Sequence, residues 1–150
     1  MKAQGIDQII DEHQGAPDLL IQVLLAIQSE YNWLPKAALQ RIGEKLQVPL
    51  SRILHIATFY KAFSLVPKGR HEVHLCMGTA CHVRGAARVL HTTEELTGLQ
   101  PGETDTELRY SLETVNCLGC CALGPVMEVD GTIHGRLTTA EAEGVLKRYE

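Results

Sequence analysis

Glu72-Val73-His74-Leu75-Cys76-Met77-Gly78-Thr79-Ala80-Cys81 is the stretch whose reading decides how the rest of the chain is understood. Glu72 to Leu75 alternate in polarity, the period-two pattern of a strand with one buried face, and the run then opens into a glycine-bearing loop with a cysteine at each end. Such a strand delivers Cys76 to a loop that can present its sulfur. Further on, Arg109 to Val115 reads as a second strand and runs into Cys117-Leu118-Gly119-Cys120-Cys121. If the two strands lie side by side, the two loops meet at one edge of a sheet and four sulfurs converge.

The five cysteines of this 150-residue chain all lie at or after residue 76. Their clustering, in a chain read as cytoplasmic, ranks a metal site ahead of a redox dithiol, of disulfides and of inert buried thiols. Thiolates are soft ligands that suit zinc or iron-sulfur clusters. The order C-x4-C, long gap, C-x3-C differs from the short C-x2-C knuckles of structural zinc sites and from the plant-type ferredoxin run, and on spacing alone a 2Fe-2S cluster leads zinc only modestly. Cys117-Leu-Gly-Cys120 also matches a C-x-x-C dithiol, but the strand-to-helix setting of such a pair is missing. His74 and His82 flank the first pair and are weighed as Rieske-like iron ligands. Four cysteines already complete a ligand set, so solvated histidines are preferred.

Composition narrows the class. A hydrophobic content of 45% marks a globular chain, the formal net charge is -4, and no basic run marks a nucleic-acid or anionic-lipid footprint. The N-terminal residues lack an apolar signal core, and the richest apolar stretch, Leu19 to Ile27, is too short to cross a bilayer. No direct membrane insertion is expected.

Outside the cysteine half the pattern is helical. Leu20, Val23, Leu24, Ile27 and Tyr31 form one apolar stripe, Leu39, Ile42 and Leu46 a second, and Ile53, Ile56, Ala57 and Tyr60 a third. Prolines at 35 and 49 separate them, and a weaker stretch from Ile6 to His13 adds a further helix. Short connections predict a small antiparallel bundle. Thr58-Phe59-Tyr60 is read as packing within it in preference to a docking face, and Trp33 is ambiguous between the same roles. At Ser64 to Arg70 the period switches from helical to alternating, which divides the chain into residues 1–69 and 70–150. In the second part, Gly85 to Leu96 predicts a helix with Ala86, Val89, Leu90 and Thr93 inward and Gly98 as its stop. Asp130-Gly131 predicts a tight hairpin between Val126–Val129 and Thr132–His134, and Thr138 to Glu141 a capping box for a last helix reaching the C-terminus. The fold class is α+β, with a solvated charged face on the tail helix.

Three stretches carry a family resemblance: Ala57-Thr58-Phe59-Tyr60, Cys76 to Gly85, and Cys117-Leu118-Gly119-Cys120-Cys121-Ala122-Leu123-Gly124-Pro125-Val126. Together they resemble the thioredoxin-like 2Fe-2S ferredoxin subunits of NADH-linked complexes: respiratory complex I, NAD(P)-linked and electron-bifurcating hydrogenases, and NAD-dependent formate dehydrogenases. The resemblance covers nearly the whole chain. It implies an N-terminal helical bundle followed by a thioredoxin-like domain holding one 2Fe-2S cluster, with Cys76 and Cys81 on one iron and Cys117 and Cys121 on the other. Cys120 falls where members vary and is left out of the ligand set. Gly78, Gly119 and Gly124 are read as clearing space for backbone amides to reach cluster sulfurs, or simply as turn residues.

A single one-electron cluster cannot accept a hydride, and the chain has no Gly-x-Gly-x-x-Gly fingerprint. The expected role is therefore an electron-transfer subunit of an NAD(P)H-dependent oxidoreductase. Its expected partners are a flavoprotein bearing FMN and the NAD(P) site, and a larger iron-sulfur or hydrogenase-type catalytic subunit. Chain length, the end at Glu150 and the Cys-Leu-Gly-Cys-Cys form favour a soluble hydrogenase-type complex, electron bifurcation included, over complex I, with NAD-dependent formate dehydrogenase as a further alternative. A zinc-stabilised interaction module is the alternative of another class.

Overall fold

The structure, a computed structural model, describes residues 3–13 and 17–149. The chain divides into two compact units, Met1–Pro67 and Lys68–Glu150. The division falls before the 69/70 boundary expected from periodicity because Lys68 already pairs with Glu113 and the Gly69 N–H donates to Ser111 Oγ at 2.7 Å.

The first unit holds α1 (Ala3–Glu12), α2 (Leu20–Tyr31), α3 (Lys36–Leu46) and α4 (Leu50–Phe59). Its core is the set of apolar stripes read from the sequence. Val23, Leu24, Ile27, Ile42 and Ile53 are wholly buried, and Leu20, Leu39 and Leu46 nearly so. Outside the core, Arg41 makes a forked pair with Asp7, Nε to Oδ1 at 2.8 Å and Nη2 to Oδ2 at 3.1 Å, joining α3 to α1. The third stripe requires a correction. Ile53 and Ala57 are buried, but α4 ends at Phe59, and Phe59 and Tyr60 are 70% and 45% exposed. The Thr58 hydroxyl turns back to the Leu54 carbonyl at 2.9 Å, and the Phe59 and Tyr60 rings meet edge to face outside the core. The packing reading of Thr58-Phe59-Tyr60 therefore fails: a 3.6-residue period carries Thr58 and Phe59 off the buried face opened by Ile53, and Tyr60, which the period would return to that face, lies past the helix end in extended backbone. Trp33 is half-buried.

The second unit contains β1 (His71–Cys76), α5 (Thr79–Val83), α6 (Ala86–Thr97), β2 (Tyr110–Val115), β3 (Val126–Val129), β4 (Thr132–Gly135) and α7 (Thr139–Leu146). The sheet order is β2-β1-β3-β4, with β1 parallel to β2 and antiparallel to β3. Parallel neighbours require a long crossover, and α5 with α6 provides it. Val73, Leu75, Leu112, Met127 and Val129 form a single core with Val89 of α6 and Ala142, Val145 and Leu146 of α7. Asp130 and Gly131 close the β3–β4 hairpin at φ 50° and 80°, the paired positive values a two-residue turn needs.

The capping box is formed: Thr138 Oγ1 accepts from the Glu141 N–H at 3.3 Å, and the Glu141 carboxylate accepts from the Thr138 N–H at 2.8 Å. Replacing this cap with Thr138→Ala is expected to cost about 1 kcal/mol, read as a shift in the urea midpoint at unchanged slope. The helix does not reach the C-terminus as expected. It stops at Leu146, and Tyr149 beyond it packs edge-on against His71 and His134.

Candidate metal centre

Parallel pairing of β1 with β2 brings their C-terminal ends to one edge of the sheet, with Cys76 in register with Val115. The Met77 N–H extends the ladder by donating to the Val115 carbonyl at 2.8 Å. Each strand then opens into its cysteine loop. The first folds into α5, a five-residue helix not expected from the sequence, which carries Cys81 back beneath the loop, where it is 1% exposed against 3% for Cys76. The second loop places Cys117 two residues past β2 and Cys121 at the start of a 3-10 turn, Cys121–Leu123, with both residues exposed.

The four cysteines line one cavity of about 470 Å³, together with Gly78 and Asn116. The Cys76 thiol lies within hydrogen-bonding reach of Cys81 and of Cys117, and Cys117 within reach of Cys121. Cys120 does not line the cavity; its thiol turns to the Leu118 carbonyl at 3.6 Å. The thiols in contact with Cys117 are thus Cys76 and Cys121, while that of Cys120 is engaged with a carbonyl, an arrangement that does not favour a Cys117–Cys120 dithiol. Neither flanking histidine joins the site: His74 stands among Glu72, Glu113 and Glu128, and His82 is exposed on α5.

Crowding sets the thiol chemistry. Burial pushes Cys76 up, yet the N–H groups of Leu118 and Gly78 and the thiols of Cys81 and Cys117 outweigh it and hold Cys76 below the ordinary thiol value. Cys81 is pushed up to about 11, by burial first and then by its hydrogen bond to Cys76 and the Cys76 charge, with the Val126 N–H opposing. Cys121 is raised by the hydrogen bond and charge of Cys117. Four thiolates this close repel one another, so full ionisation needs cationic charge in the cavity. Iron supplies that charge, and the sulfurs are then ligands it prefers.

Two glycines meet specific backbone demands. A Cβ on Gly78 would lie 2.7 Å from the Asn116 carbonyl oxygen, so only glycine lets the two loops approach this closely. Gly119 sits at φ 79°, which turns its N–H onto Cys117 Sγ at 3.3 Å. Glycine at 124 leaves room beside sulfur, since a Cβ there would lie 3.1 Å from Cys81 Sγ. Its N–H donates to the Cys121 carbonyl at 3.3 Å, and the amide that reaches Cys81 is that of Val126.

Among the described residues no group of three or more His, Cys, Asp or Glu is set to hold a single metal ion. The sulfurs are instead ranged around a cavity as neighbouring pairs, a donor set that fits a binuclear cluster better than one tetrahedral zinc. A model of the thioredoxin-like [2Fe-2S] ferredoxins matches residues 6–150. The chain belongs to that family. As a member it carries one 2Fe-2S cluster, and its α+β fold, with helices preceding a four-stranded sheet, is the family's.

Among curated relatives, it is 35% identical over 130 residues to the NADP-reducing hydrogenase subunit HndA of Solidesulfovibrio fructosivorans, covering 87% of this chain and 76% of the relative. It is 32% identical over 147 residues to a subunit of the NADH-quinone oxidoreductase of Escherichia coli K12, covering 98% of this chain and 89% of the relative. Among solved structures it resembles a chain of the NAD+-reducing [NiFe]-hydrogenase in the air-oxidized state, with a TM-score of 0.71 and 22% identity. That likeness covers 84% of this chain but 22% of the longer hydrogenase chain, and it shows the fold. Relatives of this ferredoxin-family chain are subunits of multi-subunit oxidoreductases. Among its described residues no helix is long and apolar enough to cross a membrane.

Sequence reading missed two residues at the site. Asn116 lines the cavity, and Arg84 reaches from the first loop to the Cys121 carbonyl of the second. Nothing in their spacing separates them from ordinary loop residues, since each depends on a contact between loops far apart in sequence.

Proposed function

We propose that Cys76, Cys81, Cys117 and Cys121 ligate the cluster, the first two on one iron and the last two on the other. We further propose that the chain is an electron-transfer subunit that exchanges single electrons with a flavoprotein carrying FMN and the NAD(P) site. The observation that carries this reading is the single cavity lined by four sulfurs at the ends of two paired strands. The bound cluster supplies a site that stores or passes one electron at a time. The chain's own residues do the rest. Cys76 and Cys81 anchor the buried side, amides of Gly78, Leu118, Gly119 and Val126 point at sulfur, and Cys117 and Cys121 form the side open to a partner. Amide donors offset the negative charge of four thiolates and two sulfides and so favour the reduced form.

Val83, 81% exposed at the end of α5, and Leu123, 40% exposed at the end of the 3-10 turn, each lie two residues from a cysteine of the proposed ligand set. Apolar side chains left in water next to a redox site suit a docking surface for the flavoprotein. The parent assembly we favour is a soluble, NAD(P)-linked hydrogenase-type complex in the cytoplasm, with a larger iron-sulfur or hydrogenase-type catalytic subunit as second partner. A place in respiratory NADH:quinone oxidoreductase is the second reading, supported by the match along nearly the full chain to the relative from Escherichia coli.

The test is reduction of the purified chain, followed by loss of visible absorbance. NAD(P)H alone is expected to leave it oxidised, because hydride chemistry needs the flavin. Adding the flavoprotein with which it assembles is expected to bleach it. Direct reduction by NAD(P)H, or indifference to the reduced flavoprotein, would contradict the proposal.

A further inference from the structure

We infer that Arg84 is a positioning residue for the cluster: it clamps the second cysteine loop onto the first, and its fixed positive charge raises the reduction potential. The inference rests on the ligand assignment proposed above, and nothing in the spacing of the cysteines calls for it.

The two loops come from different strands, and the pairing of β1 with β2 ends at Cys76 and Val115. Past that point the second loop bonds largely to itself, apart from the Leu118 N–H that reaches Cys76 of the first loop and the Leu123 carbonyl that accepts from the Arg136 N–H. The Gly119 N–H goes to Cys117 Sγ, the Leu123 N–H to the Cys120 carbonyl at 2.9 Å, and the Gly124 N–H to the Cys121 carbonyl at 3.3 Å. Cys117 and Cys121 are both exposed, so packing does not immobilise them. Yet two sulfurs on this loop must keep a fixed distance from two on the other for a rigid cluster to bind. Arg84, the residue that closes α5, reaches across a separation of 37 residues and donates from Nη1 to the Cys121 carbonyl. A guanidinium on the carbonyl of a ligating residue fixes that residue's backbone while leaving its sulfur free.

A second observation places the charge. A Cβ built on Gly124 would lie 3.1 Å from Cys81 Sγ and 3.3 Å from Arg84 Nη1, so the arginine nitrogen and the sulfur border the same small space. The guanidinium nitrogen therefore stands near the Cys81 sulfur, although the arginine as a whole is exposed. Reduction adds one negative charge to the cluster, and a nearby permanent cation stabilises the reduced state more than the oxidised one. Because Arg84 is exposed, that effect is screened by salt. Lysine can keep the charge, but its flexible single ammonium lacks the planar fork that holds a carbonyl in place.

The experiment uses the full chain, purified anaerobically as wild type, Arg84→Gln and Arg84→Lys. Three readouts are taken: iron and sulfide per chain, the rate of iron loss to a chelator, and the midpoint potential from an EPR-monitored redox titration at low and high salt. Arg84→Gln is expected to lose iron several-fold faster and to show a more negative midpoint, with the gap from wild type narrowing at high salt. Arg84→Lys is expected to keep a midpoint close to wild type while losing iron faster. A glutamine variant with wild-type midpoint and wild-type iron loss would overturn the inference, as would a lysine variant whose midpoint falls as far as that of glutamine. If the glutamine variant holds no cluster, the lysine midpoint and the salt dependence of the wild-type midpoint decide. A midpoint that falls as salt rises in both supports the charge role, and salt-independent midpoints overturn it. A colourless wild type would overturn the ligand assignment as well, whereas a wild type with its cluster and indifferent variants removes only the role of Arg84.

Discussion

Replacing any one of Cys76, Cys81, Cys117 or Cys121 with alanine is expected to strip the chain of its cluster, while Cys120→Ala keeps a full complement of iron and sulfide. Alanine is the informative substitution because a serine oxygen can still approach iron. The expected drop in iron occupancy exceeds about tenfold, since even outer partners of metal ligands are worth roughly 10–100-fold in affinity. The contrast between adjacent cysteines is the decisive one. Cys121 lines the cavity and feels the charge of Cys117, whereas Cys120 turns to the Leu118 carbonyl and packs with Cys76, Cys81 and Val126. A Cys120→Ala variant without iron, beside a Cys121→Ala variant that keeps it, would reverse the assignment.

The second large effect is structural. Leu75→Ala is expected to destabilise the second unit by about 3 kcal/mol, the ordinary range for emptying a leucine-sized site being about 2–5 kcal/mol. Leu75 is wholly buried in β1, which is paired on both sides, and faces Thr114 of β2 and Met127 of β3. The residue after it is Cys76, so the cavity left by the substitution lies directly under the root of the metal loop. Denaturant titration of the variant should show the lower midpoint, with faster cluster loss on heating. A change below about 1 kcal/mol, the size of a surface substitution or a lost cap, would mean that the β1 face under α6 and α7 is not the core.

What the residues alone could disclose follows from how local each signal was. Apolar period gave α2, α3 and α6 with their buried faces, and the Asp130-Gly131 turn and the Thr138/Glu141 capping box were each decided by a few adjacent residues. Non-local features were hidden. The α5 helix is five residues long, too short to show a period, and depends on the loop closing beneath Cys76. Phe59 and Tyr60 are apolar yet exposed, because hydrophobicity does not by itself dictate burial. The last helix stops at Leu146 since Tyr149 finds partners in His71 and His134, residues far away in sequence. At the site, the two cysteine pairs were visible from spacing, but spacing alone separated a cluster from zinc only slightly, and the family resemblance supplied the difference. Arg84 and Asn116 gave no sequence signal, because their roles arise only where two loops meet.

The most direct test of the central claim is low-temperature EPR of the anaerobically purified, dithionite-reduced protein, with iron and sulfide counted on the same sample. A rhombic or near-axial S = 1/2 signal integrating to about one spin per chain, with about two irons and two sulfides, is the predicted result. An EPR-silent protein that binds zinc, or that holds no metal after strictly anaerobic handling, would contradict it.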